Sequence, residues 1–315
     1  PPEQAISPFS QGLLPMHFPA GLEAANSPLI AAASTDADQQ LKFSKHKPVW
    51  NDSETGDPAN GQRYSTWPFI EKGLRGPKPY PHWLIEEAAA IDTELGILKT
   101  GKEGDVFLLE RATEDRSSLL AAKRYRSREQ MQFSRSQSYS DGRSARRSRD
   151  NRAIRNSSAY GKQIAALQWA NAEWSYLLRC YEAGIPVPYP VQIDGTEILM
   201  EFIANPDDQH AAAPRLQQLS RFDPRLPSLW EQLTGALEKF AGLGIAHGDL
   251  SAYNILVSGE RLVVIDVPQC VDLAGNPNGL DFLHRDCVNL CDWFTSKGLP
   301  NDPDELFSSL MSYLF

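Results

Sequence analysis

Two rhythms of apolar residues divide this chain. Short runs of aliphatic and β-branched side chains predict strands on both sides of a glycine-bearing turn over 96–109, then over 119–125, 191–193 and 198–203. Two further strands, 255–257 and 262–266, flank Ser258-Gly259-Glu260-Arg261, which reads as a tight hairpin turn. Apolar positions three and four apart predict helices over 164–182, 229–243, 280–294 and 302–315. Gly184-Ile185-Pro186 stops the first helix and Gly244 the second. Trp83, Leu84, Ala88 and Ile91 also recur at helical spacing, so a short helix entered through Pro81 is expected where order begins. Residues 204–225 read as a polar crossover.

Upstream of that point the pattern fades. Residues 1–80 hold 11 of the 23 prolines and little periodic apolar content. Such a segment buries too little surface to offset its ordering entropy, so it is expected to be extended or disordered. Its aromatic residues Phe9, Trp50, Tyr64, Trp67, Phe69 and Tyr80 are candidates to dock on the folded part. The basic island 42–47 reads as a solvated patch. The chain starts without an initiator Met or a signal-peptide pattern, so processing or truncation is an open expectation.

Composition narrows the class. With 315 residues, 41% hydrophobic and 23% charged, the chain resembles an ordinary soluble protein with one large or two modest domains. No apolar run approaches a membrane span, and four scattered cysteines suit a reducing cytoplasm. His284, Cys287 and Cys291 share a helix face, but a fourth metal ligand is not evident and core packing explains the cysteines. The net charge of −9 conceals a segment, 121–162, with 12 Lys/Arg against 3 Asp/Glu. A mobile basic loop over 126–162, with a short helix near 146–154, suggests one anionic partner surface such as RNA.

The chemistry concentrates in His247-Gly248-Asp249-Leu250-Ser251-Ala252-Tyr253-Asn254 and in Asp266, at the end of the second hairpin strand. An acid to meet an acceptor hydroxyl, with an Asn and an Asp as oxygen donors to Mg²⁺, suits phosphoryl transfer. The alternative is a surface hairpin with ordinary turn residues. Gly101 and Gly104 would let backbone N–H groups approach phosphate oxygens, with Lys102 adding charge. Lys123 follows Ala121-Ala122 on the next strand, about 20 residues on. Glu173, among Trp169, Trp174 and Leu177, needs a cationic partner, and Lys123 is the candidate. A strand lysine at a cleft is expected to matter to turnover far more than to folding.

These pieces, in this order, resemble the RIO family of atypical serine/threonine protein kinases, most closely its RIO1 subgroup and bacterial relatives. The resemblance rests on the loop 100–106, Trp169-Ala170-Asn171-Ala172-Glu173, the octet at 247–254, Ile265-Asp266-Val267-Pro268-Gln269 and the stretch 280–289. It runs from about Trp83 to the C-terminus. It implies an α+β, two-lobed kinase-like fold, with an N-lobe over 81–203 and a mainly helical C-lobe over 204–315.

What the resemblance implies for the site is specific. Thr100, Gly101, Lys102, Glu103 and Val106 would cover ATP, while Lys123 paired with Glu173 would hold its phosphates. Met200, Glu201 and Ile203 would form the adenine hinge. Asp249 would be the catalytic acid, with Ser251 where conventional kinases carry a lysine. Asn254 and Asp266 would ligate Mg²⁺, and Asp266 could itself accept phosphate in an ATPase cycle. Gly248 replaces the Arg of His-Arg-Asp, and Asp-Phe-Gly and Ala-Pro-Glu are missing, which argues against regulation by activation-loop phosphorylation. Gly104-Asp105 stands where RIO1 proteins often have Ala-Asn or Ala-Asp.

Three functions follow: a protein kinase that also phosphorylates itself, a nucleotide-gated switch on ribosomal RNA or a pre-ribosomal particle, and a small-molecule kinase sharing His-Gly-Asp-Leu. The Lys-Glu glycine loop and Asp266-Val267-Pro268-Gln269 argue against the third. The five residues Lys123, Glu173, Asp249, Asn254 and Asp266 argue against a pseudokinase.

Overall fold

The computed structural model describes residues 61–101, 104–126 and 159–314, with side chains in the last stretch from residue 164 onward. The first 60 residues, Lys102 and Glu103, and nearly all of the basic segment 126–162, including 146–154, lie outside the described residues.

Six strands build the first half: β1 Gln62–Tyr64, β2 Ile91–Thr100, β3 Gly104–Ala112, β4 Ser117–Tyr125, β5 Pro190–Asp194 and β6 Glu197–Glu201. They form one sheet in the order β1-β2-β3-β4-β6-β5, every neighbouring pair antiparallel. Helix α1, Ala159–Glu182, separates β4 from β5 in sequence. The register sets Lys99 opposite Val106, Val106 opposite Lys123 and Lys123 opposite Ile198. Residues directly paired across strands share a face, so both lysines project from the same side of the sheet. Gly104 allows the close β3–β4 approach at the loop: a Cβ there would lie 2.2 Å from the Arg124 carbonyl oxygen.

The second half is mainly helical. A hairpin of β7 Ala204–Asn205 and β8 Asp208–Ala212 precedes α2, Leu226–Gly242, and the short β9, Ile245–Ala246. The hairpin β10 Ile255–Ser258 and β11 Arg261–Val264 follows, then β12 Val271–Asp272, α3 Gly279–Ser296 and α4 Pro303–Met311. Trp174 and Leu177 of α1, Leu233, Leu237 and Phe240 of α2, Leu283, Cys287 and Phe294 of α3, and Val257 and Leu262 of the hairpin share one core. This is the α+β architecture expected, a β-rich lobe followed by a helical one.

Four expectations are corrected. Residues 61–80 are part of the fold: β1 extends the sheet, and Trp67, 1% exposed, packs with Leu84, Leu109, Leu120 and Leu199 while Tyr80 meets its ring edge-on. Residues 83–90 form no helix, and Ile91 opens β2. Leu84 and Ile85 are both buried, a pattern set by the sheet-covering layer rather than by a helix face. The crossover after 203 contains the β7–β8 hairpin, turned at Pro206-Asp207. The last helix ends at Met311; it starts where the Asp302 carboxylate accepts the Asp304 and Glu305 N–H groups at 2.8 and 3.1 Å.

The face shared by His284, Cys287 and Cys291 serves packing. Burial pushes the Cys287 thiol up to about 12 and the Cys291 thiol to about 11, and His284 Nε2 pairs with Asp304 Oδ1 at 2.8 Å. Among the described residues no helix is long and apolar enough to cross a membrane.

Candidate functional site

Strand pairing brings the end of the chain's central hairpin back to where it began. β9 carries His247 inward, and β12 pairs antiparallel with β9, so the backbone before the octet runs beside the backbone after Asp266. His247 is 1% exposed; burial lowers its pKa, and its Nε2 lies 3.1 Å from the Ile265 carbonyl oxygen. Gly248 takes φ +83°, a left-handed turn that glycine adopts freely. A 3₁₀ turn, Ala252–Asn254, then places Asn254 behind Asp249.

The Asn254 amide nitrogen donates to the Asp249 carbonyl at 2.9 Å, and the Asn254 carbonyl accepts the Ile265 N–H, also at 2.9 Å. With its nitrogen so fixed, the amide keeps its oxygen as the end available to a cation. Asp266 follows at once, at the start of the 3₁₀ turn Val267–Gln269, with φ +69° and ψ +56°. A non-glycine residue in this region costs roughly 1–2 kcal/mol, and Asp is among the few that visit it. The turn packs against α1, which carries Glu173.

From the sheet, Lys123 Nζ donates to Glu173 Oε1 and to Asp266 Oδ1, each at 2.7 Å. Tyr125 Oη donates to the other Glu173 oxygen. Lys99 Nζ reaches the second Asp266 oxygen at 3.3 Å. Burial opposes the charge on Lys123, yet Asp266 and Glu173 outweigh it and raise its pKa, keeping the ammonium charged. Lys123 foremost, against burial and with help from Lys99, holds the Asp266 carboxyl far below the usual carboxylate range. Glu173 moves the other way, because burial outweighs its lysine. A deprotonated carboxylate and an amide oxygen on adjoining backbone are hard donors of the kind Mg²⁺ takes, so the residues present fit that ion.

The remaining expected residues divide. Thr100 ends β2 opposite Asp105, Gly101 donates its N–H to the Gly104 carbonyl at 2.9 Å, and Val106 lies between the two lysines. Ser251 accepts the Asn254 N–H through its main-chain oxygen. At the hinge, Met200 pairs with Ala121, the Glu201 N–H goes to the Tyr189 carbonyl, and the Ile203 carbonyl accepts the Ala213 N–H. The Glu201 carboxylate is engaged by the Tyr189 N–H and Arg261. A pocket of about 400 Å³ flanks the hinge between Trp83, Glu110, Leu119, Phe202 and His210, away from Asp249 and Asp266. Lys102 and Glu103 lie outside the described residues.

Besides Tyr125, which donates to Glu173, two residues of the site were not singled out for a role by sequence. Asp286, fully buried on α3, accepts the Gly248 and Leu250 N–H groups, and burial raises its pKa to about 7 against those hydrogen bonds. Lys99 precedes the glycine loop, and a lysine there reads as solvated until its register with Val106 and Lys123 is known.

Comparison with known proteins gives one consistent result. The family model for the RIO domain matches residues 106–306. The RIO-type serine/threonine-protein kinase Rio1 of Haloferax volcanii is 33% identical over 139 residues, which is 44% of this chain and 46% of that protein. RIO3 of Caenorhabditis elegans is 35% identical over 140 residues, 43% of this chain and 27% of that protein. RIO1 of Homo sapiens is 32% identical over 127 residues, 40% of this chain and 22% of that protein. The matched stretch thus spans less than half the length of each of these relatives. The crystal structure of the Rio2 kinase-ADP/Mg²⁺-phosphoaspartate complex from Chaetomium thermophilum aligns with a TM-score of 0.51 at 21% identity, covering 70% of this chain and 62% of that one. That likeness concerns the fold.

Proposed function

From the premise that this chain belongs to the RIO family of protein kinases, we propose that it transfers the γ-phosphate of ATP, with Mg²⁺, to serine or threonine side chains of proteins, its own included. The observation that carries this is the convergence of Lys123, Glu173 and Asp266 by direct contact, beside an Asn254 tied to the Asp249 backbone.

Each residue has a part in that reading. Lys123, held by Glu173, binds nucleotide phosphates, while Asn254 and Asp266 hold the metal. Mg²⁺, when bound, neutralises charge on the phosphates. Asp249 orients the acceptor hydroxyl and takes its proton. At the hinge the Glu201 N–H and Ile203 carbonyl are spent on the protein's own hydrogen bonds. The Glu201 carbonyl and Ile203 N–H are then the groups that read the adenine edge, under Val106.

A second reading is favoured by a specific observation: only residues 267–278 separate Asp266 from α3, which leaves little chain for docking a peptide. In that reading an Asp266 oxygen attacks the γ-phosphorus and ADP leaves. Water then cleaves the acyl phosphate, giving an ATPase switch. Its partner would be RNA or a ribosomal particle in the cytoplasm, engaged through the basic segment 126–162. The reading draws support from the Chaetomium relative, whose structure holds a phosphoaspartate.

Labelling with γ-³²P-ATP separates the two. Label stable to hydroxylamine and abolished by Asp249→Ala supports transfer to serine or threonine. Hydroxylamine-labile label mapped to Asp266 and retained in Asp249→Ala supports the switch. No Mg²⁺-dependent label or hydrolysis in the parent chain contradicts both.

A further inference from the structure

We propose that Lys99 is a second phosphate-binding ammonium of this site, released from Asp266 when the metal arrives. The inference deepens the functional reading above and rests on it. Lys99, Val106 and Lys123 form a transverse row on one face of the sheet. Two cations from that row close on the two oxygens of one carboxylate, Lys123 on Oδ1 at 2.7 Å and Lys99 on Oδ2 at 3.3 Å.

The two lysines are held very differently. Lys123 is also bonded to Glu173 at 2.7 Å, with its side chain 11% exposed. Lys99 has its side chain 39% exposed, and Asp266 is its one ion-pair partner among the described residues. A partly exposed pair of this length is weak and is easily exchanged for another anion. Lys123 therefore stays with Glu173, whereas Lys99 is free to turn.

The charges then dictate where it turns. Without nucleotide, Lys99 and Lys123 balance Glu173 and Asp266. A divalent cation on Asp266 takes over the carboxylate that held Lys99 in place and repels its ammonium. The magnesium nucleotide itself keeps net negative charge on its phosphates. Lys99 directly precedes Thr100 and Gly101, at the loop that would cover those phosphates. The phosphate chain is thus the nearest anion for an ammonium that has just lost one, and binding exchanges one ion pair for another.

Calorimetric titration of the purified chain with Mg-ATP and with adenosine tests this, using Lys99→Met and Lys99→Arg. Lys99→Met should weaken Mg-ATP about tenfold, and Lys99→Arg should recover most of that affinity. Adenosine, which has no phosphates, should bind all three proteins equally. Unchanged Mg-ATP affinity in Lys99→Met overturns the proposal, as does an equal loss for adenosine, which would mark a structural role. Tighter Mg-ATP binding also overturns it, since Lys99 would then act as a competitor of the metal. A parent chain that binds no Mg-ATP removes the functional reading and this inference together; a parent that binds normally beside an indistinguishable Lys99→Met removes this inference alone.

Discussion

The Asp286 carboxylate receives the Gly248 N–H on one oxygen and the Leu250 N–H on the other, both at 2.8 Å, so a single buried group on α3 grips the backbone on each side of Asp249. Arg285 adds a hydrogen bond to the Gly248 carbonyl, and Asn289 one to the Leu250 carbonyl at 3.2 Å. The acid proposed to meet the acceptor hydroxyl is therefore positioned from a helix as well as by Asn254 of its own loop. Asp286→Ala leaves two buried N–H groups without acceptors. We expect a loss of roughly 2–4 kcal/mol in urea unfolding, and a fall in turnover per folded molecule that exceeds the loss of folded protein. Stability within about 0.5 kcal/mol of the parent would contradict this.

The same carboxyl gives a pH signature. Burial lifts it to about 7, above its range in an unfolded chain. Between those values the folded protein holds a proton that the unfolded chain releases, so this group's contribution to stability is full below about pH 4 and fades as pH rises to about 7. The parent's unfolding free energy should fall more steeply with pH across that window than that of Asp286→Ala, by up to about 1.4 kcal/mol per pH unit. Parallel slopes would show that the carboxyl does not titrate there.

Lys123 departs from the expectation that a strand lysine matters little to folding. It is 9% exposed and neutralises Glu173, which is 2% exposed. Lys123→Met alone strands a buried carboxylate and should cost about 3–5 kcal/mol. Lys123→Met combined with Glu173→Gln should regain most of that stability while phosphoryl transfer stays lost. Paired thermal unfolding and ATP-turnover measurements decide it. A double variant no more stable than the single one would contradict the pairing.

Trp67 tests the extension of the fold upstream of residue 81. Its ring fills the upper face of the sheet beside Leu84, Leu109 and Leu120, with the Arg75 guanidinium 5.1 Å from its centroid. Trp67→Ala should lower stability by about 3–5 kcal/mol, measured by chemical denaturation. A loss below about 1 kcal/mol would mean that the segment is an appendage.

The octet, Asp266, Lys123 and Glu173 were legible because their chemistry is odd for their surroundings: acids and amides at strand ends, and a glutamate among tryptophans. Period and stop signals likewise fixed α2 and α3 to within a few residues. Elsewhere the pattern misled. Leu84, Ala88 and Ile91 match a helix only by spacing, and Pro79 and Pro81 precede a loop layer that covers the sheet. β1 is three residues long, two of them exposed, so no run of apolar residues announces it. The turn signal Pro206-Asp207 was available for the β7–β8 hairpin, but its strands are too polar to stand out. Lys99 and Asp286 act through register and helix placement, which local sequence does not encode.

The most direct measurement is the Mg²⁺ dependence of ATP affinity in the parent chain and in Asp266→Asn, titrated with Mg²⁺ and again with the metal chelated. Mg²⁺ should strengthen ATP binding by about tenfold or more in the parent, and Asp266→Asn should abolish this gain. An equal gain in both proteins, or none in the parent, would contradict a metal site at Asn254 and Asp266.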